Sequence, residues 1–515
     1  MQVINDFYRI AHAHPERKAF VSASASLTYR EAAALVEDTA SAMVTRGCQH
    51  GDPVAILSPN DPYAFVCMLA ALRAGAAWVP VNGRNGVAPN AEFLQTVGCK
   101  WLFWHSAYAA DAAVIRERVE GLEHGVQIDG LASDSASLTA LTKTWAKLPV
   151  TAAEERSICT IVGTGGTTGT PKGVMWTNET WRTLLATATA LMPINVVPVH
   201  LCVAPMTHAA GVLAMMLMPG GPTNVVLDRV DPEQILRHIA EFKVTHLYVP
   251  PTVLYMLLAH PSVEHFDYSS LRYFLITAAP VSPKRLREAV RVFGPVMAQC
   301  YGQSEAPMLC TFFAPAEIAA AAKAHDDVRL SSCGRMTPLI QLRAMSSSGA
   351  ILPAGEVGEL VVQGGLVMEG YLNDPAANAE VSAFGWHHTG DIGRVDPDGL
   401  VYVLDRKKDM IISGGFNVYP AEVERMLISH PAVQDCAVIG VPDDKWGEAI
   451  TAVVELKAGS MIGSDELHAF CRERLGGVKT PKTFEFRQTL PRSAVGKVLR
   501  RTIRDEYWVG KSRAV

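Results

Sequence analysis

The chain has 515 residues, of which 49% are apolar and 19% are charged. This length predicts two or more domains, and the composition excludes intrinsic disorder, collagen and coiled coil. Forty-six lysines and arginines against 51 acidic residues give a net charge of −5, which excludes a general attraction to nucleic acid or to an anionic membrane.

The cysteines and the apolar segments bear on cellular location. Ten cysteines are scattered along the chain without a disulfide framework, so we expect them to be reduced and mostly buried. Residues 1–6 lack the basic and apolar regions of a signal peptide. The longest apolar region, 203–217, is interrupted by Pro205 and is too short to cross a bilayer. These features predict a cytoplasmic protein with no transmembrane segment.

From Thr28 onward the hydrophobic pattern alternates between helix and strand. The first predicted elements are a helix at 29–46, a strand at 54–57, a helix at 63–74 and a strand at 77–81. A second series follows Ile158, with strands at 201–204, 245–249 and 273–277 and helices at 232–242, 252–258 and 283–292. This alternation predicts a mostly parallel sheet covered on both faces, with ligands beyond the carboxyl ends of its strands.

After Gly334 the sequence pattern changes to short apolar runs separated by glycine and proline turns. This pattern predicts short strands in an antiparallel sheet or a small barrel. The last hundred residues form a separate α+β pattern, with helices at 421–428 and 465–475 and strands at 434–439 and 449–456. The charged segment 405–409 is interpreted as a domain boundary and hinge. A solvated turn is the alternative interpretation of this charge run.

A loop rich in glycine and hydroxyl groups, residues 164–174, follows a predicted strand at 158–162. Its glycines let backbone N–H groups approach an anion, and Lys172 adds a positive charge, so the loop is typical of a polyphosphate site. It matches neither a Walker A loop nor a dinucleotide fingerprint. The alternative interpretation is a flexible surface loop.

Residues 301–305, Tyr-Gly-Gln-Ser-Glu, combine an aromatic ring, a glycine, a hydroxyl and a carboxylate. Such a set can stack on a base, contact a phosphate and hold Mg²⁺ together with substrate phosphates. A competing interpretation is a hydrolase nucleophile elbow centred on Ser304. In that motif a second glycine is required, and this chain has Ala306 instead.

Two further short segments carry charged residues. In Thr389-Gly-Asp391 a fixed carboxylate could accept both hydroxyls of a ribose, although an ordinary aspartate turn also has this pattern. Residues 491–497 place Lys497 in a tight loop, which taken alone is typical of a basic surface turn.

Together these segments resemble, in order and spacing, the signature motifs of the adenylate-forming superfamily, which includes acyl- and aryl-CoA synthetases. The resemblance covers essentially the whole chain. It implies an N-terminal adenylation domain over 1–405 made of stacked βα sheets and a small barrel-like subdomain. It also implies a hinge at 406–408 and a mobile C-terminal domain over 409–515.

The resemblance also implies roles for individual residues. The loop would hold the ATP β- and γ-phosphates, Tyr301 would stack on adenine, and Ser304 would contact the α-phosphate. Thr167 and Glu305 would hold Mg²⁺. The nucleotide-binding set comprises Thr164, Gly165, Gly166, Thr167, Thr168, Gly169, Thr170, Lys172, Ala279, Pro280, Tyr301, Gly302, Gln303, Ser304, Asp391, Arg406, Gly414, Gly415 and Lys497.

The catalytic set implied by the resemblance is His208, Glu305, Lys172 and Lys497. A satisfied core histidine is the alternative for His208. The acyl pocket would be lined by apolar or small groups, which implies an apolar acid, and its candidate residues are His208, Val212, Ala278, Ala279, Tyr301 and Cys310. Relatives that activate amino acids carry an acidic residue directly after the histidine position, where this chain has Ala209.

The implied reaction has two halves. In the first half the carboxylate attacks the ATP α-phosphorus, with Mg²⁺ and Lys497 offsetting charge, and releases pyrophosphate. In the second half rotation at Lys408 removes Lys497 and brings up Gly414 and Gly415, which would line a pantetheine channel, and the thiol of CoA then displaces AMP.

Two departures from the family pattern concern the phosphate contacts. The loop has Gly165 where serine is common, and Ser304 replaces a threonine. The leading prediction is an ATP-dependent acyl-CoA ligase for a fatty or aromatic acid. The alternatives are an acyl-AMP ligase that loads a carrier protein, a hydrolase that uses Ser304, and a catalytically silent lipid-binding protein. Dimers are common among such relatives.

Overall fold

The computed structural model describes residues 2–130, 137–142, 156–163, 172–492 and 498–509. The chain divides into two compact units. The first unit comprises Met1–Leu342 and Val362–His387, and the second comprises Arg343–Val361 and His388–Val515. The predicted domain limits at 405 and 409 rest on the family resemblance and stay a prediction.

The described strands, in chain order, are β1 (Lys18–Val21), β2 (Ser26–Thr28), β3 (Pro53–Leu57), β4 (Ala77–Val81), β5 (Trp101–Trp104), β6 (His124–Gln127), β7 (Ile158–Gly163), β8 (Gly173–Thr177), β9 (Val199–Cys202), β10 (Thr223–Val226), β11 (His246–Val249), β12 (Tyr273–Ile276), β13 (Met297–Gln303), β14 (Ala306–Phe313), β15 (Arg335–Met336), β16 (Ile340–Met345), β17 (Gly358–Gly364), β18 (Gly370–Tyr371), β19 (His387–Val395), β20 (Val401–Arg406), β21 (Ile411–Ser413), β22 (Phe416–Val418), β23 (Val433–Asp443), β24 (Gly447–Leu456) and β25 (Thr483–Arg487).

The described helices are α1 (Gln2–Ala13), α2 (Tyr29–Thr45), α3 (Pro62–Arg73), α4 (Val87–Thr96), α5 (Ala109–Arg118), α6 (Leu138–Leu141), α7 (Asn178–Leu191), α8 (Ala209–Met216), α9 (Pro232–Glu241), α10 (Pro251–Leu258), α11 (Pro283–Phe293), α12 (Pro315–Lys323), α13 (Asp327–Leu330), α14 (Pro375–Val381), α15 (Pro420–Ile428), α16 (Ser464–Lys479) and α17 (Arg500–Asp505).

Two large sheets organise the first unit. The nine-stranded sheet has the order β15-β14-β13-β12-β11-β9-β10-β1-β2, and its six central strands from β13 to β1 are parallel. The seven-stranded sheet has the order β18-β8-β7-β4-β3-β5-β6, with a parallel run from β7 to β6. The predicted mostly parallel α/β architecture is therefore confirmed.

Two smaller sheets follow. The four-stranded sheet has the order β16-β17-β19-β20 and lies where short strands and turns were predicted. The C-terminal sheet has the order β22-β21-β24-β23, and β25 pairs with β24. Strands β23 and β24 pair antiparallel, and helices α15 and α16 pack with them around one apolar core, as is typical of an α+β domain.

Local sequence signals account for several helix starts. Thr28 accepts a hydrogen bond from the backbone N–H of Glu31, and the Glu31 side chain accepts one from the backbone N–H of Thr28, so a capping box begins α2. At α3, α9 and α11 a capping aspartate or serine precedes a proline at the first helical position. A proline there is already set to the helical φ angle and needs no N–H partner.

The limits of several predicted segments differ from the structure. The predicted strand 201–204 is observed as β9, which stops at Cys202. The carbonyls of Val203 and Ala204 accept hydrogen bonds from the Asn60 side chain instead of a neighbouring strand, and the following Pro205 disfavours continued regular structure. At the predicted hinge, Asp405 and Arg406 are the last residues of β20, and only 407–409 form a separate short turn.

One face of the nine-stranded sheet is covered by α9, α10 and α11. Leu201 of β9 and Leu247 and Val249 of β11 point into this apolar core together with residues of the three helices. The expectation that the cysteines are mostly buried is confirmed, since nine of the ten are buried and Cys333 is partly buried. In the described ranges, no helix is both long and apolar enough to cross a bilayer.

Candidate active site

The carboxyl ends of parallel strands place several predicted residues along one edge of the nine-stranded sheet. His208 follows β9, the segment 278–280 follows β12, and Tyr301 lies near the end of β13. In an open parallel sheet these strand ends border the crevice where ligands bind. The fold therefore brings together residues that lie up to 93 positions apart in the chain, here from 208 to 301.

The backbone at this edge is unusual in two places. Ala278 has a φ of +75°, a left-handed conformation that is uncommon for a residue with a side chain, and residues 278–280 are exposed. At Gly302 an added Cβ would lie 2.5 Å from the backbone nitrogen of Met308. Gly302 is therefore required by the close approach of β13 to β14.

His208 precedes the first residue of α8, and its carbonyl accepts a hydrogen bond from Val212. Its side chain is solvent-accessible, but surrounding protein atoms desolvate the ring and lower the pKa of the imidazole below its ordinary value. The positive charge of Arg84 acts in the same direction, and a backbone interaction with Thr207 opposes it. The imidazole is consequently neutral at physiological pH.

The other predicted acyl-pocket residues lie on elements that border this edge. Val212 on α8 and Cys310 on β14 are buried, whereas Tyr301 is half-buried. The Cys310 thiol donates to the carbonyl of Ala306. Their roles in binding an acid stay predictions.

Glu305 belongs to a cluster of charged and aromatic side chains. The hydroxyl of Tyr371 donates a hydrogen bond of 2.8 Å to Oε1 of Glu305. Lys172 Nζ lies 4.8 Å from the centre of the Tyr371 ring and 3.2 Å from Oδ2 of Asp374. Burial and the adjacent Glu305 carboxylate raise the pKa of the Tyr371 hydroxyl, so it stays a proton donor.

The turn that carries Ser304 and Glu305 is fixed from two sides. The indole N–H of Trp176 on β8 donates to the carbonyl of Ser304 at 2.6 Å, and the backbone N–H of Met368 donates to the carbonyl of Glu305 at 2.8 Å. Gln303 Nε2 lies 3.3 Å from Nε2 of His387. Sequence reasoning missed these supporting residues, because Trp176 and Met368 carry no motif-like signal and contact the turn only through the fold.

A second group of predicted residues lies in the second unit. Asp391 on β19 is buried, and Arg406, its register partner on β20, places Nε 2.8 Å from the carboxylate oxygen Oδ1. Arg406 also donates to the carbonyl of Thr389 at 3.3 Å. The predicted neighbours Asp391 and Arg406 thus form an ion pair across two antiparallel strands.

Glu359 on β17 supports the segment that holds Asp391. Its carboxylate accepts hydrogen bonds from Lys407 Nζ at 2.9 Å and from the Gly390 backbone at 3.1 Å, and it lies 3.0 Å from Nδ1 of His388. Burial alone raises the pKa of this carboxyl, but the contacts with His388 and Lys407 outweigh it and hold the pKa below its ordinary value. Sequence reasoning did not identify Glu359.

Arg500 at the start of α17 links Asp405, in the predicted hinge segment, to Glu424 on α15. Its guanidinium donates to Asp405 at 2.7 Å and to Glu424 at 2.7 Å. Lys408 is exposed, and its carbonyl accepts a hydrogen bond of 3.4 Å from Arg504. Desolvation, with several nearby arginines, lowers the pKa of the Lys408 amine.

The two glycines predicted for the thiol channel have positive φ angles, 58° for Gly414 and 82° for Gly415. A Cβ at Gly414 would lie 2.7 Å from the ring of Trp446. The amines of Lys445 and Lys482 lie 4.9 Å and 5.8 Å from the centre of that ring. Gly414 therefore adjoins an exposed aromatic surface with two cations.

The remaining predicted residues, Thr164, Gly165, Gly166, Thr167, Thr168, Gly169, Thr170 and Lys497, lie outside the described residues. Of the predicted phosphate-binding loop the structure therefore places its end, with Lys172 directly before β8.

Comparison with known proteins identifies the family. A profile of the AMP-binding enzyme family matches residues 7–372, and a profile of the AMP-binding enzyme C-terminal domain matches residues 422–497. The chain belongs to the AMP-binding enzyme family. This membership confirms the predicted adenylate-forming superfamily and the prediction that the protein is an enzyme, an acid–thiol ligase.

Relatives of this AMP-binding enzyme that match over nearly their whole length include CoA ligases. A medium/long-chain-fatty-acid–CoA ligase of Mycobacterium tuberculosis is 34% identical over 98% of this chain and 89% of its own length. A feruloyl-CoA synthase of Amycolatopsis is 37% identical over 97% of this chain and 98% of its own length. The o-succinylbenzoate-CoA synthetase of Bacillus subtilis, solved with its acyl-adenylate intermediate, is 28% identical in sequence. Its structure matches 97% of this chain and 98% of its own chain with a TM-score of 0.85.

Proposed function

We propose that this AMP-binding enzyme is an ATP-dependent acyl-CoA ligase that activates an apolar carboxylic acid, either fatty or aromatic. The observation that carries the proposal is the contact chain of Lys172, Tyr371 and Glu305 at the edge where the parallel strands end. A cation and a carboxylate so placed suit a nucleoside triphosphate and its metal ion. The CoA ligases among the full-length relatives support the same reaction class.

In the first step a carboxylate oxygen of the acid forms a bond to the ATP α-phosphorus, and the bond between the α- and β-phosphates breaks. The products are acyl-adenylate and pyrophosphate. Lys172 and Lys497 offset the negative charge that grows on the phosphate oxygens. Tyr301 stacks on adenine, Ser304 contacts the α-phosphate, and Asp391 accepts hydrogen bonds from the ribose hydroxyls.

The donor set fits Mg²⁺ brought in with ATP. Glu305 offers one carboxylate, and Tyr371 fixes one of its oxygens by a hydrogen bond. Across the residues that the structure describes, no group of three or more His, Cys, Asp or Glu side chains could hold a metal ion unaided. A single carboxylate suffices where substrate phosphates supply further ligands, as is usual for Mg²⁺. When bound, this ion would neutralise phosphate charge.

In the second step the thiolate of CoA attacks the acyl carbon, the bond to AMP breaks, and AMP leaves. Lys408 is the proposed pivot, and Gly414 and Gly415 line the path of the pantetheine arm. The surface around Trp446 supports free CoA as the acceptor, because an aromatic face can stack on adenine and Lys445 and Lys482 can pair with phosphate. A carrier-protein phosphopantetheine lacks the adenine and is the alternative acceptor.

The decisive experiment measures pyrophosphate release with ATP and Mg²⁺ against fatty, aryl and amino acids, with and without CoA, and follows the thioester by mass spectrometry. Acid-dependent release with acyl-CoA formation is the expected result. Release without acyl-CoA would replace free CoA by a carrier-protein acceptor. No release with any acid would support the silent binding protein and overturn the proposal.

A further inference from the structure

A row of polar side chains crosses the interior of the nine-stranded sheet. His200 on β9 is the register partner of Asn224 on β10 and of His246 on β11, and His246 is in turn the partner of Tyr273 on β12. His200 is completely buried, and His246 is 2% exposed. Two histidines side by side in a sheet interior call for a physical explanation, since buried polar groups normally have hydrogen-bond partners.

The hydrogen bonds of the row fix which ring nitrogen of His200 carries the proton. Nδ1 of His200 lies 3.0 Å from Oδ1 of Asn224, and the Asn224 amide group donates to the carbonyl of Ala19. Asn224 Oδ1 is therefore the acceptor, and His200 Nδ1 is the donor. In the neutral ring this leaves Nε2 as a lone-pair acceptor.

The same reasoning applies to His246. Its Nδ1 lies 2.8 Å from the hydroxyl oxygen of Thr245, and that hydroxyl donates its own proton to the carbonyl of Val199. With the Thr245 proton directed to Val199, His246 Nδ1 is the donor and Nε2 is again an acceptor. Burial lowers the pKa of His200 to about 4 and that of His246 to about 3, so both rings are neutral at physiological pH.

Both acceptor nitrogens are buried without a partner. Among the described residues, Nε2 of His200 and Nε2 of His246 have no hydrogen-bond partner. A buried acceptor without a donor destabilises the fold, whereas a ligand that brings an O–H or N–H group removes that penalty. The pair therefore has the chemistry of a receptor for a neutral hydrogen-bond donor.

The two histidines face the side of the sheet opposite to the core beneath α9, α10 and α11. Leu201 and Leu247 point into the core beneath α9, α10 and α11, so the alternation of side chains directs His200, His246 and Tyr248 to the opposite face. Helix α8 contacts β9 and β11 but contributes no described residue to that core. It therefore covers the face that carries the histidines.

The histidines lie well below the carboxyl ends of the strands. His246 precedes Tyr248 by two residues and the end of β11 by three, which places it about 10 Å below the reacting edge. Met215 and Met216 at the end of α8 are buried, and methionine side chains rearrange readily around a ligand.

We infer that His200 and His246 form a hydrogen-bond-accepting floor of the acyl pocket, and that the preferred acid carries a hydroxyl or amino group at the end remote from its carboxylate. This inference rests on the proposed function and narrows its substrate class. An acid of this kind keeps an apolar body, in agreement with the rest of the wall, and places its only distal polar group against the two imidazoles.

The test compares acids that differ only in the distal group. The first series is a para-hydroxylated arylpropenoic acid, its methyl ether and the unsubstituted parent, and the second is an ω-hydroxylated medium-chain fatty acid with its methyl ether and parent. The methyl ether keeps the oxygen but has no proton to donate. For the series that fits, we expect kcat/KM for pyrophosphate release to be at least about tenfold higher with the hydroxyl compound than with its ether.

Variants then assign the preference to the floor. His200→Leu and His246→Leu should each reduce the preference for the hydroxyl compound over its methyl ether to near unity, because leucine removes the acceptor nitrogen. His246→Gln keeps an acceptor and should retain part of the preference. The matched control is His238→Leu, because His238 also has a buried nitrogen without a described partner but lies on α9, which covers the other face.

The outcomes separate the inference from the proposed function. If the parent acid is turned over but neither hydroxylated acid is preferred over its ether, buried water satisfies the histidines and the inference is wrong. A preference that survives both leucine variants would also overturn it. Since the wild-type ratio requires no variant, a folding defect in the variants does not prevent the test. Absence of pyrophosphate release with every acid rejects the ligase itself.

Discussion

Replacement of Tyr371 by phenylalanine tests whether this residue positions Glu305. The substitution removes only the hydroxyl, which donates a hydrogen bond of 2.8 Å to Oε1 of Glu305, and it keeps the ring beneath Lys172. Without this donor the carboxylate can rotate away from the orientation in which it would meet a metal ion. We therefore expect weaker Mg²⁺–ATP use in the first step, with the fold intact.

The size of the effect follows from the type of hydrogen bond. A hydrogen bond to a charged group contributes about 1.5–3 kcal/mol, and about 1.4 kcal/mol corresponds to a factor of ten in rate. Tyr371→Phe should thus lower kcat/KM for acid-dependent pyrophosphate release by roughly 10- to 100-fold. The apparent affinity for Mg²⁺ should fall as well, so that excess Mg²⁺ restores part of the rate.

Two half-reactions provide the assay. Pyrophosphate release reports the first step, and thioester formation from supplied acyl-adenylate reports the second, which should be nearly unchanged in Tyr371→Phe. Tyr268→Phe serves as the matched control, because that hydroxyl donates to the carbonyl of Val263 in the core beneath α10 and α11. An unchanged first step, or an equal loss in both steps, would refute the positioning role.

Four further changes test other parts of the molecule. Lys497→Ala should abolish pyrophosphate release and spare thioester formation from acyl-adenylate, with Lys457→Ala as a surface control; equal losses would contradict the role. Trp446→Ala should raise KM for CoA by about tenfold without changing adenylation; an unaltered KM would favour a carrier-protein acceptor. Arg500→Met leaves the buried Asp405 carboxylate and the partly buried Glu424 carboxylate without their cation and should cost about 3–5 kcal/mol of unfolding free energy in urea; a loss below about 1 kcal/mol would contradict the reasoning from this ion pair. The pKa of Glu359 lies below its ordinary value, so the stability that this carboxylate contributes is present above about pH 4.5 and is lost as the pH falls through the lowered pKa. Glu359→Gln should therefore weaken the dependence of Tm on pH between about pH 5 and 3. An unchanged dependence of Tm on pH would refute this.

Local signals in the sequence determined much of the fold. The prediction of strand 77–81 coincides with β4, and helices α9, α10 and α11 end within one residue of their predicted limits. These elements are bounded by caps, prolines and apolar periods that act within a few residues. Strand ends were less accurate where a distant side chain intervenes, as Asn60 does after β9.

For the candidate site, the sequence predicted which short segments carry the chemistry, because the motifs around Lys172, Tyr301 and Asp391 depend on contiguous residues. Only the tertiary structure decided what supports them. The hydrogen bond from Tyr371 to Glu305 joins residues 66 positions apart, and His200 meets His246 only because β9 and β11 are neighbours although β10 lies between them in the chain. Parallel strands are joined by crossovers, so strand order, and with it every lateral contact, is set by the packing of whole βα units and not by local sequence.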